Sequence, residues 1–136
     1  MTTLSLDELR LYLFREFPQI EGNYALESLS PMKARMRLIA SERHLRPGGT
    51  ISGPAMFGLA DVALYAAILA SLGPVALAVT TNLNINFLRK PAPVDLFGEA
   101  RLLKLGKRLA VGEVSITDTG DDLVAHATGT YSIPPR

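Results

Sequence analysis

One carboxylate, Asp61, lies in the middle of the most apolar stretch of the sequence, which runs from Ile51 to Val79. A charged carboxylate in such surroundings costs several kcal/mol unless it is paired, hydrogen-bonded or protonated. Functional sites keep such costly groups where ordinary cores exclude them, so Asp61 is the first candidate for chemistry. The alternative is a core aspartate whose side chain caps a backbone N–H group.

A second candidate lies eight residues earlier, where Ser52, Gly53 and Pro54 precede the apolar run. Proline suits the first turn of a helix, because the N–H that it lacks would have no helical partner there. A helix that begins at Pro54 leaves the Gly53 N–H at the positive end of the helix dipole, where it can donate to a carbonyl oxygen that gains negative charge. The alternative is a glycine that only fits a tight turn.

The helical rise separates Gly53 from Asp61 by roughly 12 Å. The two groups can hardly serve one carbonyl within one subunit, so either the substrate lies along the helix or two subunits share the site. A serine hydrolase is rejected, because Thr50 stands where the nucleophile elbow needs a glycine two residues before Ser52. The chain has no cysteine and only two distant histidines, which argues against a metal site.

The hydrophobic pattern predicts the elements that must position these groups. An amphipathic helix is expected over Ser5–Phe17, with a capping box at Ser5 and Glu8 and a stop at Pro18. A second helix, over residues 54–72, is apolar on all sides and must be wrapped by other structure. A short apolar piece spans 24–29, and strands are expected at 32–38, 75–87, 94–105, 109–117 and 123–131. The tight turns favour antiparallel pairing in a two-layer α+β fold.

Length and composition limit the classes of protein that need to be considered. A chain of 136 residues predicts one domain, residues 1–136, and 48% hydrophobic residues suffice for a sizeable core. The net charge of +1 gives no general attraction to nucleic acid. The N-terminus lacks the features of a signal peptide, so a cytoplasmic location is expected. The apolar helix has the length of a membrane span, but Asp61 near its middle and Gly73-Pro74 at its end argue against one.

The segment from Phe57 to Ala63, preceded by Gly53 and followed by residues 82–92, resembles the hotdog-fold thioesterases of the phenylacetate-degradation type. The similarity extends from about Arg43 to the C-terminus. It implies an antiparallel sheet wrapped around a long central helix, in homodimers or in homotetramers built from two dimers, with the active sites at the dimer interface. The implied activity is hydrolysis of an acyl-CoA thioester to free acid and CoA. No cofactor is implied, because CoA is part of the substrate.

The resemblance also implies roles for individual residues. By position, Asp61 is the general base or nucleophile, Gly53 of the partner subunit donates to the oxyanion, and Thr80 orients the attacking water. The basic residues at strand ends and turns suit the phosphates of CoA. The residues expected to bind substrate are Arg46, Ser52, Pro54, Met56, Phe57, Tyr65, Asn82, Arg89, Lys90, Lys107 and Arg108; no metal ligand is expected.

The sequence departs from the family pattern at two positions, since Ser52 replaces a histidine and Arg46 replaces an asparagine. Ser52 can donate a hydrogen bond but carries no charge. Arg46 either pairs with Asp61 or holds a substrate carboxylate or a CoA phosphate. Two alternatives stay open: a non-catalytic acyl-CoA-binding protein of the same fold, and a hotdog hydratase or dehydratase. The latter usually needs a His–acid pair, and no histidine flanks the central helix.

Overall fold

The computed structural model describes residues 2–135, in which a six-stranded antiparallel sheet packs around a long apolar helix. Two single 3-10 turns, at Pro18–Ile20 and Glu42–His44, lie in the connections. The helices and strands are α1 (Leu6–Glu16), β1 (Tyr24–Ser30), β2 (Lys33–Leu38), α2 (Gly53–Leu72), β3 (Val79–Phe87), β4 (Leu96–Leu105), β5 (Leu109–Thr117) and β6 (Leu123–Ser132). This confirms the predicted α+β class and has the helix-wrapping antiparallel sheet of the hotdog fold that the resemblance implies.

The N-terminal helix α1 begins where the capping pattern places it. Ser5 Oγ accepts a hydrogen bond from the Glu8 N–H at 3.1 Å, and Glu8 Oε1 accepts one from the Ser5 N–H at 2.8 Å. The predicted capping box is therefore confirmed. Leu9 and Leu13 bury the apolar face of the helix. The helix ends at Glu16, because Pro18 starts a separate 3-10 turn.

The central helix α2 begins at Gly53, one residue earlier than predicted, and Ser52 is its N-cap. The Ser52 side chain accepts a hydrogen bond from the Ala55 N–H at 3.2 Å. Thirteen of its twenty residues are buried. By length and composition α2 could cross a membrane, but 67% of its most apolar window is buried inside the protein. Burial on this scale is what the core helix of a folded domain needs.

The order of strands in the sheet is β1-β2-β4-β5-β6-β3, with every neighbouring pair antiparallel. Antiparallel pairing is confirmed, but β3 and β4 are not neighbours although they are consecutive in the chain. The connection between them contains Pro91 and Pro93 and forms no tight hairpin turn. Residues 75–78 and 94–95 precede β3 and β4 rather than belonging to them, so the predicted starts of these strands were too early.

Strand β3 lies at one edge of the sheet and carries a bulge next to its first residues. Thr80 pairs with Tyr131 of β6 and Asn82 pairs with Thr130, which leaves Thr81 as the extra residue. The bulge shifts the alternation of side chains along the strand, so that Thr80 lies on the α2 side together with Leu83. Without this shift, Thr80 and Leu83 would point to opposite faces.

Candidate active site

Asp61 lies near the middle of α2, and two hydroxyl groups hold one of its carboxylate oxygens. Thr80 Oγ1 donates to Oδ1 at 2.6 Å, and the Tyr131 hydroxyl also lies 2.6 Å from Oδ1. The same Tyr131 hydroxyl is 2.9 Å from the Asp61 backbone carbonyl. Within residues 2–135, Oδ2 has no hydrogen-bond partner. One oxygen is thus anchored, and the other remains available for chemistry.

Two neighbouring strands bring these hydroxyls together. Thr80 on β3 and Tyr131 on β6 are paired across the sheet, and the bulge at Thr81 turns Thr80 toward α2. Tyr131 is only 4% exposed, and its ring stacks on Tyr65 with 6.2 Å between the centroids. Burial, and then the charge of Asp61, raise the pKa of Tyr131 far above its usual value. Tyr131 therefore stays protonated and acts as a donor.

A cleft of about 490 Å³ opens beside Asp61, between the end of α1, strand β1 and helix α2. We call it the Asp61 cleft; its lining is Glu16, Phe17, Ile20, Tyr24, Gly58, Asp61, Val62, Tyr65, Ala76, Ala78, Val79, Thr80 and Tyr131. The Phe17 and Tyr65 rings meet edge to face with 6.0 Å between their centroids. The Tyr65 hydroxyl donates to the Ala76 carbonyl at 2.8 Å, and burial raises its pKa to about 12. The walls are thus largely aromatic and aliphatic, which suits an apolar acyl group.

A second cleft, also of about 490 Å³, opens at the N-terminus of α2. We call it the Gly53 cleft; its lining is Arg46, Thr50, Ile51, Gly53, Met56, Phe87, Leu88, Arg89, Lys90 and Pro91. The N–H of Gly53 makes no hydrogen bond within the described part of the chain, so it is free to donate to a ligand at the positive end of the helix dipole. The three basic side chains give this cleft a positive charge that suits phosphate groups.

The loop before α2 is held in place by the buried His44. Its Nδ1 accepts a hydrogen bond from the Ser41 N–H at 3.1 Å, so Nε2 carries the proton and donates to Asn23 Oδ1 at 2.9 Å. The His44 carbonyl accepts from the Ser52 N–H at 2.8 Å, next to Gly53. Burial, and then the charge of Arg43, lower the pKa of His44. His44 lines neither cleft, so it shapes the loop that presents Gly53.

The structure distributes the predicted site residues over separate places. Asp61, Thr80 and Tyr65 meet in the Asp61 cleft, whereas Gly53, Arg46, Met56, Arg89 and Lys90 meet in the Gly53 cleft. Pro54 and Phe57 line a neighbouring cleft with Ile85 and Phe87. Arg46 therefore does not pair with Asp61 of its own chain, which was one of its two expected roles. Ser52 caps α2, while Asn82, on β3, and Lys107 and Arg108, in the β4–β5 turn, line none of these clefts.

Two members of the site have no signal in the local sequence. Tyr131 reads as an ordinary aromatic residue of an alternating strand, and Tyr24 reads as the start of a short apolar piece. Both reach the Asp61 cleft through pairing of residues far apart in the chain. Thr80 was predicted to orient water, and the structure shows its hydroxyl bound to Asp61. Among residues 2–135, no group of three or more His, Asp or Glu side chains is arranged to hold a metal ion.

Comparison with known proteins identifies the family to which this fold and these clefts correspond. The sequence profile of the thioesterase superfamily matches residues 48–125, a span that includes Gly53, Asp61, Thr80 and the basic residues after β3. The chain belongs to the thioesterase superfamily.

Solved structures and curated relatives agree with this assignment. A "putative thioesterase" from Silicibacter sp. TM1040 is 52% identical, covers 99% of this chain and 95% of its own, and superposes with a TM-score of 0.92. A mutant of the phenylacetic acid degradation protein PaaI from Thermus thermophilus is 27% identical over 86% of this chain and 99% of its own, with a TM-score of 0.76. A "putative esterase" from Saccharolobus solfataricus is 30% identical over 130 residues, 96% of this chain and 80% of that protein.

Proposed function

We propose that the protein hydrolyses an acyl-CoA thioester to free acid and CoA, with Asp61 as general base or nucleophile. The observation that carries the proposal is the state of this carboxylate. Two hydroxyls hold Oδ1 at 2.6 Å each, while Oδ2 has no partner within residues 2–135, beside a cleft with largely apolar walls. Asp61 Oδ2 is not among the buried side-chain atoms that lack a partner, so this oxygen is accessible from the cleft. An oriented carboxylate with one available oxygen is suited to act on a water molecule or on a carbonyl carbon.

The second part of the proposal is that a homodimer completes each site. Asp61 and Gly53 of one chain lie in different clefts, so the oxyanion donor for Asp61 would be the partner subunit's Gly53. Strand β3 is a nine-residue edge strand, and long exposed edges are usually covered in native assemblies. Exposed apolar side chains lie at its two ends, with Val79 56% and Phe87 51% exposed. Pairing of β3 with a second copy about a two-fold axis would cover both.

In the proposed reaction, Asp61 Oδ2 takes a proton from water as the water oxygen attacks the thioester carbonyl carbon. The Gly53 N–H stabilises the oxyanion, a contribution of about 3 kcal/mol for one well-placed donor. Collapse of the tetrahedral intermediate breaks the C–S bond, and the CoA thiolate takes the proton back from Asp61. If Asp61 attacks the carbonyl carbon directly instead, the C–S bond breaks and the CoA thiolate leaves as a mixed anhydride forms. Water then hydrolyses the anhydride, which yields the free acid, restores the Asp61 carboxylate and supplies the proton that the thiolate takes up. No cofactor enters either route.

The substrate would bind in two parts. The acyl group would occupy the Asp61 cleft, against Phe17 and Tyr65, because its walls are apolar. The CoA phosphates would bind the basic side chains of the Gly53 cleft, Arg46, Arg89 and Lys90. Met56 and Phe57, with Pro54, would contact the substrate from the N-terminal half of α2. Roles for Ser52, Asn82, Lys107 and Arg108 in binding remain predictions.

The test is release of thiol from acetyl-CoA, octanoyl-CoA and phenylacetyl-CoA, read with a thiol reagent; the protein adds no background, because it has no cysteine. Asp61→Asn is the decisive variant, since its amide oxygen can still accept from Thr80 and Tyr131. We expect a loss of about 10²–10⁴-fold in kcat, with an unchanged oligomeric state by size exclusion. Full turnover in Asp61→Asn would refute the assignment. Saturable binding of these thioesters without thiol release would instead identify an acyl-CoA-binding protein.

A further inference from the structure

The Tyr24 side chain reaches the Asp61 cleft from strand β1 and places its hydroxyl against helix α2 at Gly58. A Cβ atom at position 58 would overlap the Tyr24 hydroxyl oxygen. Glycine inside a helix costs about 0.5–1 kcal/mol relative to alanine. The space for the Tyr24 hydroxyl gives a reason for a glycine in the middle of α2.

The Tyr24 hydroxyl is available for a ligand. The hydroxyls of the other two tyrosines in the cleft are engaged, Tyr65 with the Ala76 carbonyl and Tyr131 with Asp61. Within the described residues, the Tyr24 hydroxyl makes no hydrogen bond. Burial, and then the charge of Asp61, raise the pKa of Tyr24, so its hydroxyl stays neutral and keeps a lone pair to accept with.

The Tyr24 hydroxyl and Asp61 lie beside the same stretch of α2. Gly58 and Asp61 are three residues apart, so their Cβ positions are about 5–6 Å apart, and the Tyr24 hydroxyl oxygen lies against the Cβ position of Gly58. A water molecule that makes two hydrogen bonds of about 2.8 Å bridges oxygens about 4.5–5.5 Å apart, which is a suitable size for this gap. The Thr80 hydroxyl donates its proton to Asp61 Oδ1, so Thr80 can only accept a hydrogen bond from this water.

We propose that the Tyr24 hydroxyl and Asp61 together hold the attacking water, which makes Tyr24 a further catalytic residue. This inference rests on the proposed thioester hydrolysis. One water proton passes to Asp61 Oδ2, and the other is bound by the Tyr24 hydroxyl oxygen and stays on the hydroxyl of the product acid. Tyr24 neither gains nor loses a proton. Tyr24 orients the water so that a lone pair on its oxygen faces the carbonyl carbon.

The test is a double-mutant cycle at positions 24 and 58, using the best of the three acyl-CoA probes. Tyr24→Phe should lower kcat about tenfold, the value of one hydrogen bond, with KM within about threefold of wild type. Gly58→Ala should lower kcat similarly, because its methyl group displaces the hydroxyl, although alanine favours the helix. In the Tyr24→Phe background Gly58→Ala should cost almost nothing, because the group that it displaces is gone.

Tyr12→Phe is the matched control, because Tyr12 lies on α1 outside the Asp61 cleft and should keep wild-type kcat. Equal costs of Gly58→Ala in both backgrounds would overturn the inference, and so would an effect of Tyr24→Phe on KM alone. A crystal structure of the wild-type protein provides an arm that needs no turnover. We expect a water bound to both Tyr24 and Asp61 that is missing in Tyr24→Phe, and a wild-type structure without it also overturns the inference. Absence of wild-type turnover with every probe would overturn the proposed function itself.

Discussion

Replacing Thr80 by valine is the most direct way to test whether the anchoring of Asp61 matters for chemistry. Valine has the shape of threonine without the hydroxyl, and it favours strands, so β3 should form unchanged. The substitution removes one of the two donors that lie 2.6 Å from Asp61 Oδ1. Tyr131 still holds the same oxygen. The carboxylate should therefore stay in the cleft but lose its defined orientation.

The size of the effect follows from the charge on the acceptor. A hydrogen bond to a charged group contributes about 1.5–3 kcal/mol, and each 1.36 kcal/mol of barrier is a factor of about ten in rate. If most of that interaction is needed to present Oδ2 in the transition state, kcat should fall by about 10–100-fold. The KM for acyl-CoA should change less than about threefold, because a group that acts on the transition state alone does not affect ground-state binding.

Thr81→Val is the matched control, because Thr81 is the next residue of the same strand and its hydroxyl donates to the Thr130 carbonyl instead, at 3.2 Å. Steady-state kinetics of thiol release, with thermal unfolding of both variants, separates chemistry from stability. Thr81→Val should retain most of the wild-type kcat. The reasoning would be refuted if Thr80→Val kept at least half of the wild-type kcat, or if the two variants lost activity equally.

Three further outcomes are expected. Arg46→Ala should raise KM about 3–5-fold and leave kcat unchanged, because partly exposed contacts between a charge and a phosphate are weak and are screened by salt. Kinetics at low and high salt test this, and a wild-type KM that does not depend on salt would contradict it. Asn84→Lys, near the middle of β3, should raise the dissociation constant of the proposed dimer about tenfold, because it places like charges near the two-fold axis. Sedimentation velocity measures this, and unchanged assembly would argue against pairing through β3. Burial lowers the pKa of His44 in the folded state. As the pH falls below about 6.5, the unfolded chain therefore binds a proton before the folded chain does, and the folded state loses stability until the pH reaches the lowered pKa. The stability advantage of wild type over His44→Gln, from urea unfolding, should shrink by up to about 1.4 kcal/mol per pH unit in this range; a constant difference would exclude this role.

Local patterns were sufficient to predict the helices. The pair Ser5 and Glu8 predicts the start of α1, and both capping hydrogen bonds are present. Pro54 before an apolar run predicts the start of α2 within one residue, and the structure adds Ser52 as its N-cap. These signals work because a helix cap is made by residues three or four positions apart. The strand β5 has its predicted bounds for a similar reason, since turns flank it on both sides.

Strand order depends on contacts that no local pattern describes. The segment from Leu88 to Asp95 could have been expected to join two adjacent strands, as the other turns do. Instead, the Pro91 carbonyl accepts a hydrogen bond from the Ile51 N–H, which ties this segment to the loop before α2. The chain then crosses to the other side of the sheet and pairs β4 with β2. The two prolines argue against a tight hairpin, but they do not determine which strand β4 pairs with.

The same limit applies within the site. Asp61 could be selected as a candidate because a lone carboxylate in an apolar helix is costly, and that cost is evident from the sequence. The partners of Asp61 could not be predicted, since Thr80 depends on a bulge at the next residue and Tyr131 is seventy positions away. A tyrosine and a phenylalanine are equally suited to a buried strand position. The Tyr131 hydroxyl can be recognised as a donor to Asp61 only once the pairing of β3 with β6 is known.

The separation of Gly53 and Asp61 connects the chemistry of this protein to its assembly. Both groups belong to α2, yet they open into different clefts, because two helical turns lie between them. In the proposed function, a single chain would therefore carry two half-sites that cannot meet. The same chain exposes the edge of β3 and the Phe87 ring, which packs against Gly53. The proposed two-fold dimer through β3 would account for these features with one contact. It would cover the edge of the sheet, cover Val79 and Phe87, and bring each Asp61 to the Gly53 end of the opposite α2. In the proposed dimer, β3 would serve both assembly and catalysis, because the strand that would join the two copies also holds Thr80 beside Asp61.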